Sequence, residues 1–172
     1  MFESATTVHK AQITDLEAVL EIISFAIASR KKEGSNQWQD GYPNQEVITN
    51  DIEQEQAYVV ECEGKIKAYF VLIFGVEPAY ELLAKESWQS NQKYAVVHRV
   101  AVGKDSKGRG LGRWILQKVE DLCIEQNYSY IRIDTNFDNA SMLCILKKLG
   151  YRYCGKVYFR GSERLAFDKV LN

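Results

Sequence analysis

The sequence predicts an α/β fold in which a mixed, mostly antiparallel central sheet of about seven strands is flanked by helices. Two observations lead to this fold class. Segments with strand periodicity alternate with amphipathic helical segments, and no linker, repeat or low-complexity segment interrupts that order. A chain of 172 residues with 46% hydrophobic content is also long enough for one well-packed core. We therefore expect a single domain over residues 1–172.

The first part of the chain is expected to form a strand, two helices and a hairpin. Thr14 is a candidate cap for the first helix, and Gly34 is expected to end it. The turn Glu63-Gly64-Lys65 joins the two hairpin strands. In chain order, these elements are expected at residues 7–12, 14–32, 45–53, 57–61 and 66–76.

The second part begins with an irregular or partly helical segment at residues 78–92. Strands and helices then alternate, and the last two strands pair across Arg160-Gly161-Ser162. These elements are expected at residues 94–102, 111–126, 130–135, 139–149, 151–159 and 164–170.

A glycine-rich turn, Lys107-Gly108-Arg109-Gly110-Leu111-Gly112, joins the strand at residues 94–102 to the next helix. Such a turn directs free backbone N–H groups and the positive helix end at one point, and Arg113 adds charge there. The turn lacks the Gly-Lys-Ser/Thr of a nucleoside-triphosphate loop and the glycine spacing of a dinucleotide fingerprint. It therefore predicts a phosphate site of another kind.

This turn resembles the pyrophosphate loop of the GNAT superfamily of acetyl-CoA-dependent N-acetyltransferases. That loop reads Arg or Gln, two residues, Gly, any residue, then Gly or Ala, after a strand that ends in Val. Here Lys107, Gly110 and Gly112 follow Val102 in that pattern. Two further segments are similar to the family. Asn139 precedes the Gly150-Tyr151 pair by the expected eleven residues, and residues 13–17 resemble the start of the family's first helix.

The resemblance implies a function and a cofactor site. It implies transfer of an acetyl group from acetyl-CoA to a primary amine of a small molecule. In the family, two parallel strands, here residues 94–102 and 130–135, splay apart to form a slot for the pantetheine arm. The backbone N–H of Val100 would polarise the thioester carbonyl. The implied cofactor-binding residues are Val100, Val102, Lys107, Gly108, Arg109, Gly110, Leu111, Gly112, Arg113 and Asn139.

Acetylation of an amine also needs a base, because a primary amine with a pKa of ~10.4 is mostly protonated at pH 7. His98 has even spacing from Val96 and Val100, so all three are expected on one face of the sheet. An imidazole with a pKa of ~6.5 suits proton transfer, directly or through a water. Alternatively, His98 is a hydrogen-bonded core residue, and Glu77 is the base.

The sequence departs from the family at the acid that protonates the leaving thiolate. Many members carry a Tyr seven residues after the Asn, and this chain has Leu146 there. Tyr151, Tyr153 or Tyr158 would have to supply the proton, or no acid is needed. A thiol with a pKa of ~8.5 is a tolerable leaving group without help.

The acceptor site is expected in the loop at residues 36–43. Trp38, Asp40 and Tyr42 could surround an ammonium group through cation–π contacts and charge attraction. Alternatively, the two aromatic side chains seal the first two helices against the core. Lys156, Arg160 and Arg164 would instead favour an acidic acceptor, so the acceptor stays open.

Composition limits the partners. Lys and Arg number 22 and Asp and Glu 23, so no global positive field favours nucleic acid or a membrane surface. Four scattered cysteines predict buried free thiols in a reducing compartment and no metal site. With no signal peptide and no apolar run of spanning length, we expect a cytoplasmic protein. A homodimer is left open.

Two other functions remain as alternatives. A transferase that modifies protein or peptide amines would need an open groove, whereas residues 78–92 look more like a lid. A catalytically silent acyl-CoA-binding module would explain the missing Tyr.

Overall fold

The computed structural model describes residues 6–172. Its strands are β1 (Thr6–Lys10), β2 (Ala57–Cys62), β3 (Lys65–Phe74), β4 (Ala95–Val102), β5 (Tyr130–Thr135), β6 (Arg152–Phe159) and β7 (Ser162–Val170). Its α-helices are α1 (Leu16–Lys32), α2 (Gln45–Glu53), α3 (Pro78–Glu81), α4 (Leu111–Glu125) and α5 (Ala140–Lys148). Short 3-10 turns lie at Ile13–Asp15, Lys85–Ser87 and Lys104–Ser106.

The strands form one seven-stranded sheet in the order β1-β2-β3-β4-β5-β7-β6. Strands β4 and β5 run parallel, and Ala95–Val97 pair with Ile131–Ile133. The pairings β1–β2, β2–β3, β5–β7 and β6–β7 are antiparallel. The predicted fold class, a mixed and mostly antiparallel sheet flanked by helices, is therefore confirmed.

The chain divides into two compact units. The first contains the described residues as far as Leu72 together with Arg99–Ile115, and the second contains Ile73–His98 and Leu116–Asn172. Strands β3 and β4 and helix α4 therefore contribute residues to both units. A single domain over the whole chain stays a prediction.

Each unit has buried apolar side chains of its own. In the first unit, those with the least exposure include Val19, Ile23, Ile48, Val59 and Phe70. In the second unit, a mostly aromatic cluster is formed by Tyr80, Trp88, Tyr94, Val96, Tyr130, Val157 and Ala166.

The start of α1 differs from the prediction. Thr14 lies inside the 3-10 turn that precedes the helix and does not cap it. Gln12 is the N-cap residue of that turn, and the Asp15 carboxylate accepts the Gln12 backbone N–H at 2.8 Å. A carboxylate can do this at the end of a short turn, where the first amides lack helical partners. Gly34 lies just after α1 with a φ of 78°, as expected of the residue that ends it.

The four cysteines are free, but they are not all buried. Cys123 is buried, Cys62 and Cys154 are half-buried, and Cys144 is exposed. Cys144 lies about 200° around α5 from the fully buried Leu146, so it faces away from the core.

No helix in residues 6–172 is long and apolar enough to cross a membrane. Within the same residues, no cluster of three or more His, Cys, Asp or Glu side chains is arranged to hold a metal ion.

Candidate active site

The glycine-rich loop presents backbone amides at the start of α4. The Trp114 N–H donates to the Gly110 carbonyl at 3.1 Å, so the amides of residues 111–113 precede the first hydrogen bond of the helix. Gly108 and Gly110 have φ values of 79° and 87°, a backbone conformation that L side chains rarely adopt. A Cβ at either glycine would meet no atom within 4 Å, so the surface of the loop is open. This arrangement fits a phosphate-bearing group.

The side chains of this loop have different surroundings. Arg109 and Arg113 are exposed, whereas the Leu111 side chain is only 1% exposed and belongs to the core. Leu111 can therefore offer a ligand only its backbone amide. The Lys107 Nζ already contacts Glu33 Oε1 at 3.0 Å. This hydrogen bond lowers the pKa of the Glu33 carboxyl. The sequence did not indicate that the first cation of the loop has a carboxylate partner.

Asn139 has a clear local role at the start of α5. Its side-chain oxygen accepts the Met142 N–H at 3.2 Å, which makes it the N-cap of the helix. Leu146, at the position where the family often carries Tyr, is fully buried. Tyr151 is also buried, and burial raises the pKa of its hydroxyl well above the ordinary value, which makes it a poor proton donor. Tyr153 and Tyr158 are exposed.

His98 and Glu77, the two candidate bases, form a hydrogen-bonded pair. The His98 Nε2 and Glu77 Oε2 atoms are 3.0 Å apart, and the two side chains are 13% and 18% exposed. The other Glu77 oxygen accepts the Ala79 N–H at 3.2 Å as the N-cap of α3. The Glu77 N–H donates to the Tyr94 hydroxyl at 3.1 Å. Glu77 is therefore held in place rather than merely solvated.

A second carboxylate, Asp134, lies on the other side of the imidazole. Its Oδ1 is 3.8 Å from the His98 Nδ1 and accepts a 2.6 Å hydrogen bond from the Tyr80 hydroxyl. Burial raises the pKa of Asp134, although His98 and Tyr80 oppose that shift. The sequence analysis missed both residues. The available signal was an acidic residue inside an otherwise buried strand.

Aromatic rings surround the His98 imidazole. The Phe159 ring packs edge-on with its centroid 5.8 Å away, and the Tyr80 ring lies at 6.3 Å. Such a setting limits water and strengthens the interactions with the two carboxylates. When ionised Glu77 accepts the Nε2–H, the free lone pair of neutral His98 lies on Nδ1. The pair has the chemistry of a general base.

Strand β4 is irregular directly after His98. Arg99 has a φ of 54°, which is uncommon for a residue other than glycine. Regular alternation of side chains does not continue through a left-handed residue. The even spacing therefore does not establish that His98 and Val100 share a face of the sheet. That expectation and the role of Val100 as a backbone donor both stay predictions.

Arg99 is the centre of a polar cluster in the first unit. Its Nε and Nη2 atoms bind the two Asp51 oxygens at 2.9 and 2.6 Å. The Tyr69 hydroxyl donates to the same carboxylate at 2.7 Å, and the Tyr42 hydroxyl accepts from the Arg99 Nη1. The sequence analysis missed Arg99, Asp51 and Tyr69. Asp51 was detectable as an acidic residue beside buried Ile48 and Ile52 of α2.

The predicted acceptor residues are therefore not equivalent. Tyr42 is half-buried and is fixed by Arg99. Trp38 is half-buried with a φ of 62°, and Asp40 is exposed. A binding role for these three residues stays a prediction.

Two residues of the segment at 78–92, Gln89 and Ser90, are anchored in the second unit, and the interpretation of the whole segment as a lid stays a prediction. Asp168 is fully buried, and one of its oxygens accepts from the Gln89 N–H at 2.6 Å and from the Tyr130 hydroxyl at 2.7 Å. Burial opposes ionisation of Asp168, but these hydrogen bonds outweigh it and lower its pKa. The Ser90 N–H in turn donates to the Tyr130 hydroxyl at 3.4 Å. The buried carboxylate therefore fixes this part of the segment in place.

Comparison with known proteins identifies the family. Residues 21–151 match the Acetyltransferase (GNAT) family. The chain is 35% identical to a GNAT-family acetyltransferase of Streptococcus agalactiae 2603, with a TM-score of 0.89 and coverage of 100% of this chain and 98% of that one. The uncharacterized N-acetyltransferase YesJ of Bacillus subtilis is 25% identical over 145 residues, which are 82% of this chain and 78% of YesJ.

A more distant structure shares the fold. Salmonella typhimurium yncA, solved with its cofactor acetyl-CoA, has a TM-score of 0.70 at 17% identity and covers 98% of this chain and 95% of that one. The match of the family over most of the chain is the decisive finding. The chain belongs to the GNAT family of acetyltransferases and is an acyltransferase enzyme.

Proposed function

We propose that the protein transfers an acetyl group from acetyl-CoA to a primary amine of a small molecule. The observation that carries this proposal is the hydrogen bond between His98 and Glu77, which gives a member of an acetyltransferase family a base for an ammonium substrate. The pair also argues against a catalytically silent acyl-CoA-binding module.

The donor end of the site is assigned to the glycine-rich loop and β4. When bound, acetyl-CoA supplies the acyl group as a reactive thioester. The amides of residues 111–113, together with Lys107, Arg109 and Arg113, would hold its pyrophosphate. To contact the pyrophosphate, the Lys107 ammonium group must either break its ion pair with Glu33 or bind the pyrophosphate while it is still paired. The remaining assigned contacts are Val100, Val102, Gly108, Gly110 and Asn139.

Removal of the proton from the acceptor's ammonium group is assigned to His98. Glu77 accepts the Nε2–H and holds the imidazole in the tautomer whose Nδ1 takes a proton from the ammonium group, directly or through one water. Asp134 then faces the positive imidazolium at a distance of 3.8 Å and stabilises it. The Val100 N–H is assigned to the carbonyl oxygen, where negative charge develops as the amine attacks.

One fixed segment supports a small acceptor over a protein. Arg99 holds Tyr42 of the loop at residues 36–43. A fixed loop suits a compact substrate, whereas a peptide chain needs an extended open groove. Trp38, Asp40 and Tyr42 are the assigned acceptor contacts, with Asp40 facing a cationic group.

A thiol-release assay over a panel of amines tests the substrate class. The panel contains polyamines, amino acids, aminoglycosides and peptides with a free N-terminus or lysine. We expect turnover of at least one small amine and none of the peptides. Turnover of peptides alone would contradict the proposed substrate class, and silence with every amine would contradict the proposed activity.

A binding experiment tests the donor site separately. A hundredfold excess of acetyl-CoA over its Kd should stabilise the protein by ~2.7 kcal/mol. Gly110→Asp should abolish this by placing a carboxylate at the pyrophosphate position. Gly64→Asp is the matched control, because Gly64 has a similar φ of 72° and equally open space but lies in the β2–β3 turn. An unchanged response of Gly110→Asp would remove the loop from the donor site.

A further inference from the structure

The second unit contains a cavity of 290 Å³ that the acetyl-transfer assignments leave unused. It lies between the end of β3, residues 80–94 and the start of β5. The lining residues that matter for its chemistry are Glu81, Lys85, Trp88, Lys93, Tyr94 and Arg132. The volume is near the lower end of small-molecule sites, which run from about 300 to about 1,000 Å³.

Arg132 is the distinctive group of this cavity. Arg132 is only 4% exposed, and its guanidinium lies between the Trp88 and Tyr94 rings, 4.0 and 3.9 Å from their centroids. The Nη2 donates to the Ser90 carbonyl at 3.2 Å, and the Nη1 lies 3.7 Å from Glu81. The Nε is buried and has no hydrogen-bond partner among residues 6–172.

A buried N–H of a charged group without a partner is costly, so this atom calls for an acceptor. The two aromatic rings satisfy the faces of the guanidinium but leave its edge to hydrogen-bond acceptors. The Nε and one terminal nitrogen of a guanidinium form a fork that matches the two oxygens of a carboxylate.

The charges around the cavity favour an anion. Lys85, Lys93 and Arg132 contribute three positive charges and Glu81 one negative charge, which leaves two in excess. Lys85 and Lys93 are exposed, and the Lys93 ammonium lies 4.2 Å from the centroid of the Tyr128 ring, which also lines the cavity. Two lysines above a buried arginine would attract an anion and orient it towards the arginine.

The walls of the cavity are already fixed. Asp168 anchors Gln89, and the Ser90 carbonyl that binds Arg132 belongs to the same anchored segment. The fully buried ring of Tyr80, another lining residue, packs against Trp88 at 5.5 Å. A ligand would therefore enter a site whose backbone is largely pre-formed, and only the Arg132 side chain would have to shift.

We propose that this cavity binds the carboxylate group of a small organic acid, about the size of an amino acid, and that Arg132 is its anchor. A small shift of the Arg132 side chain between its two rings exposes the buried Nε–H to the cavity, and the ligand carboxylate accepts from it. Lys85 and Lys93 hold the ligand at the entrance. The proposal does not depend on acetyl transfer, and it concerns a site distinct from the glycine-rich loop.

Titration of the ¹⁵N-labelled full-length protein tests this directly. Succinate, glutamate and inorganic phosphate are added in turn, with chloride at equal ionic strength as the reference. We expect succinate or glutamate to move the Arg132 Nε–H resonance saturably, and phosphate to move it less. The Gly110→Asp variant should respond as the wild type does, which separates this site from the donor site.

Charge-reversal variants supply a test that leaves Arg132 and the core intact. Lys85→Glu/Lys93→Glu should weaken carboxylate binding by about tenfold or more, because both changes lie at the entrance. Lys31→Glu/Lys65→Glu alters the net charge equally at exposed positions outside the cavity and should leave the affinity within about twofold. A crystal structure with the acid bound should show its carboxylate at the Arg132 Nε.

Four outcomes would overturn the proposal. The first is the absence of a saturable shift with either acid. The second is equal weakening in both double variants, which would indicate general charge attraction. The third is binding of phosphate alone. The fourth is a crystal structure with only an ordered water on the Nε in the presence of saturating acid.

Discussion

His98 and Arg99 are neighbours in β4, yet each belongs to a different polar cluster. The Arg99 cluster has a structural role, and the His98 cluster has groups suited to proton transfer. Arg99 binds both oxygens of Asp51, and Tyr42 and Tyr69 complete that cluster. Each hydrogen bond there has a donor that stays protonated at neutral pH. His98 instead contacts Glu77 and Asp134 through an imidazole ring, whose nitrogens can donate or accept a hydrogen bond.

The acid–base properties of the two clusters follow from the same difference. Burial alone would lower the pKa of Arg99, but Tyr42 and Asp51 outweigh it, and the pKa is raised. Burial also raises the pKa of Tyr69, so its hydroxyl stays a donor. In the other cluster, burial raises the pKa of Asp134 beside a titratable imidazole. The carboxylate beside a guanidinium has a partner that keeps its protons, so this pair has a structural role. The carboxylate beside an imidazole has a partner that can accept a proton, so that pair suits acid–base chemistry.

Removal of the imidazole should have the largest effect on catalysis. We expect His98→Ala to lower kcat at neutral pH by about 10²- to 10⁴-fold, the usual contribution of a general base. His9→Ala is the matched control, because His9 has a similar contact to Glu61 at 3.3 Å but is 41% exposed at its side chain. Equal activity of the two variants would show that His98 is a packing residue.

Removal of Asp51, the carboxylate that pairs with Arg99, should have the largest effect on the free energy of unfolding. Asp51→Ala leaves Arg99 buried without its carboxylate, and we expect the free energy of unfolding to fall by ~3–5 kcal/mol. Urea denaturation measures this. A loss under about 1 kcal/mol, as for an exposed pair, would contradict a structural role for the Arg99 cluster.

Changes in the loop at residues 36–43 should affect the acceptor and spare the donor. We expect Trp38→Ala and Tyr42→Ala to raise the acceptor KM by about tenfold, in line with the loss of a desolvated cation–π contact. The KM for acetyl-CoA should stay within about twofold. Asp40→Asn should weaken cationic acceptors most. Loss of several kcal/mol of stability with an unchanged acceptor KM would make the loop structural.

The sequence predicted most of the fold because periodicity and turn residues are local signals. The hairpin, the order of strands and helices along the chain, and the helix after the glycine-rich turn all follow from such signals. The start of α1 was missed because Thr14 is a residue type typical of an N-cap, whereas the observed turn depends on the Asp15 side chain reaching back to the Gln12 N–H.

The candidate site was predictable only in part. His98 and Glu77 were identified separately, but a distance of 21 residues along the chain hides their hydrogen bond. The contacts of Asp51 and Asp134 are likewise tertiary, and only an acidic residue in a buried segment hinted at them. The left-handed backbone at Arg99 was not predictable, since arginine has no preference for that conformation.

The smallest effect is expected at the exposed ion pair of Glu33 and Lys107. Glu33→Gln should reduce stability by no more than about 1 kcal/mol at neutral pH and low salt. Because the folded-state pKa of Glu33 lies below its ordinary value of 4.5, the contribution is present above that value and is lost as the pH falls through the lowered pKa. Unfolding at neutral and strongly acidic pH measures it. An effect as large as that of Asp51→Ala would contradict the distinction between buried and exposed pairs.

The pH dependence of the ratio of kcat/KM between wild type and His98→Gln tests the central claim most directly. The ratio is measured with one amine from about pH 6.5 to about pH 9.5. If His98 takes the proton from the bound ammonium, the ratio should fall by about tenfold or more as free amine becomes plentiful. A ratio that stays constant over the whole range would show that His98 does not remove this proton.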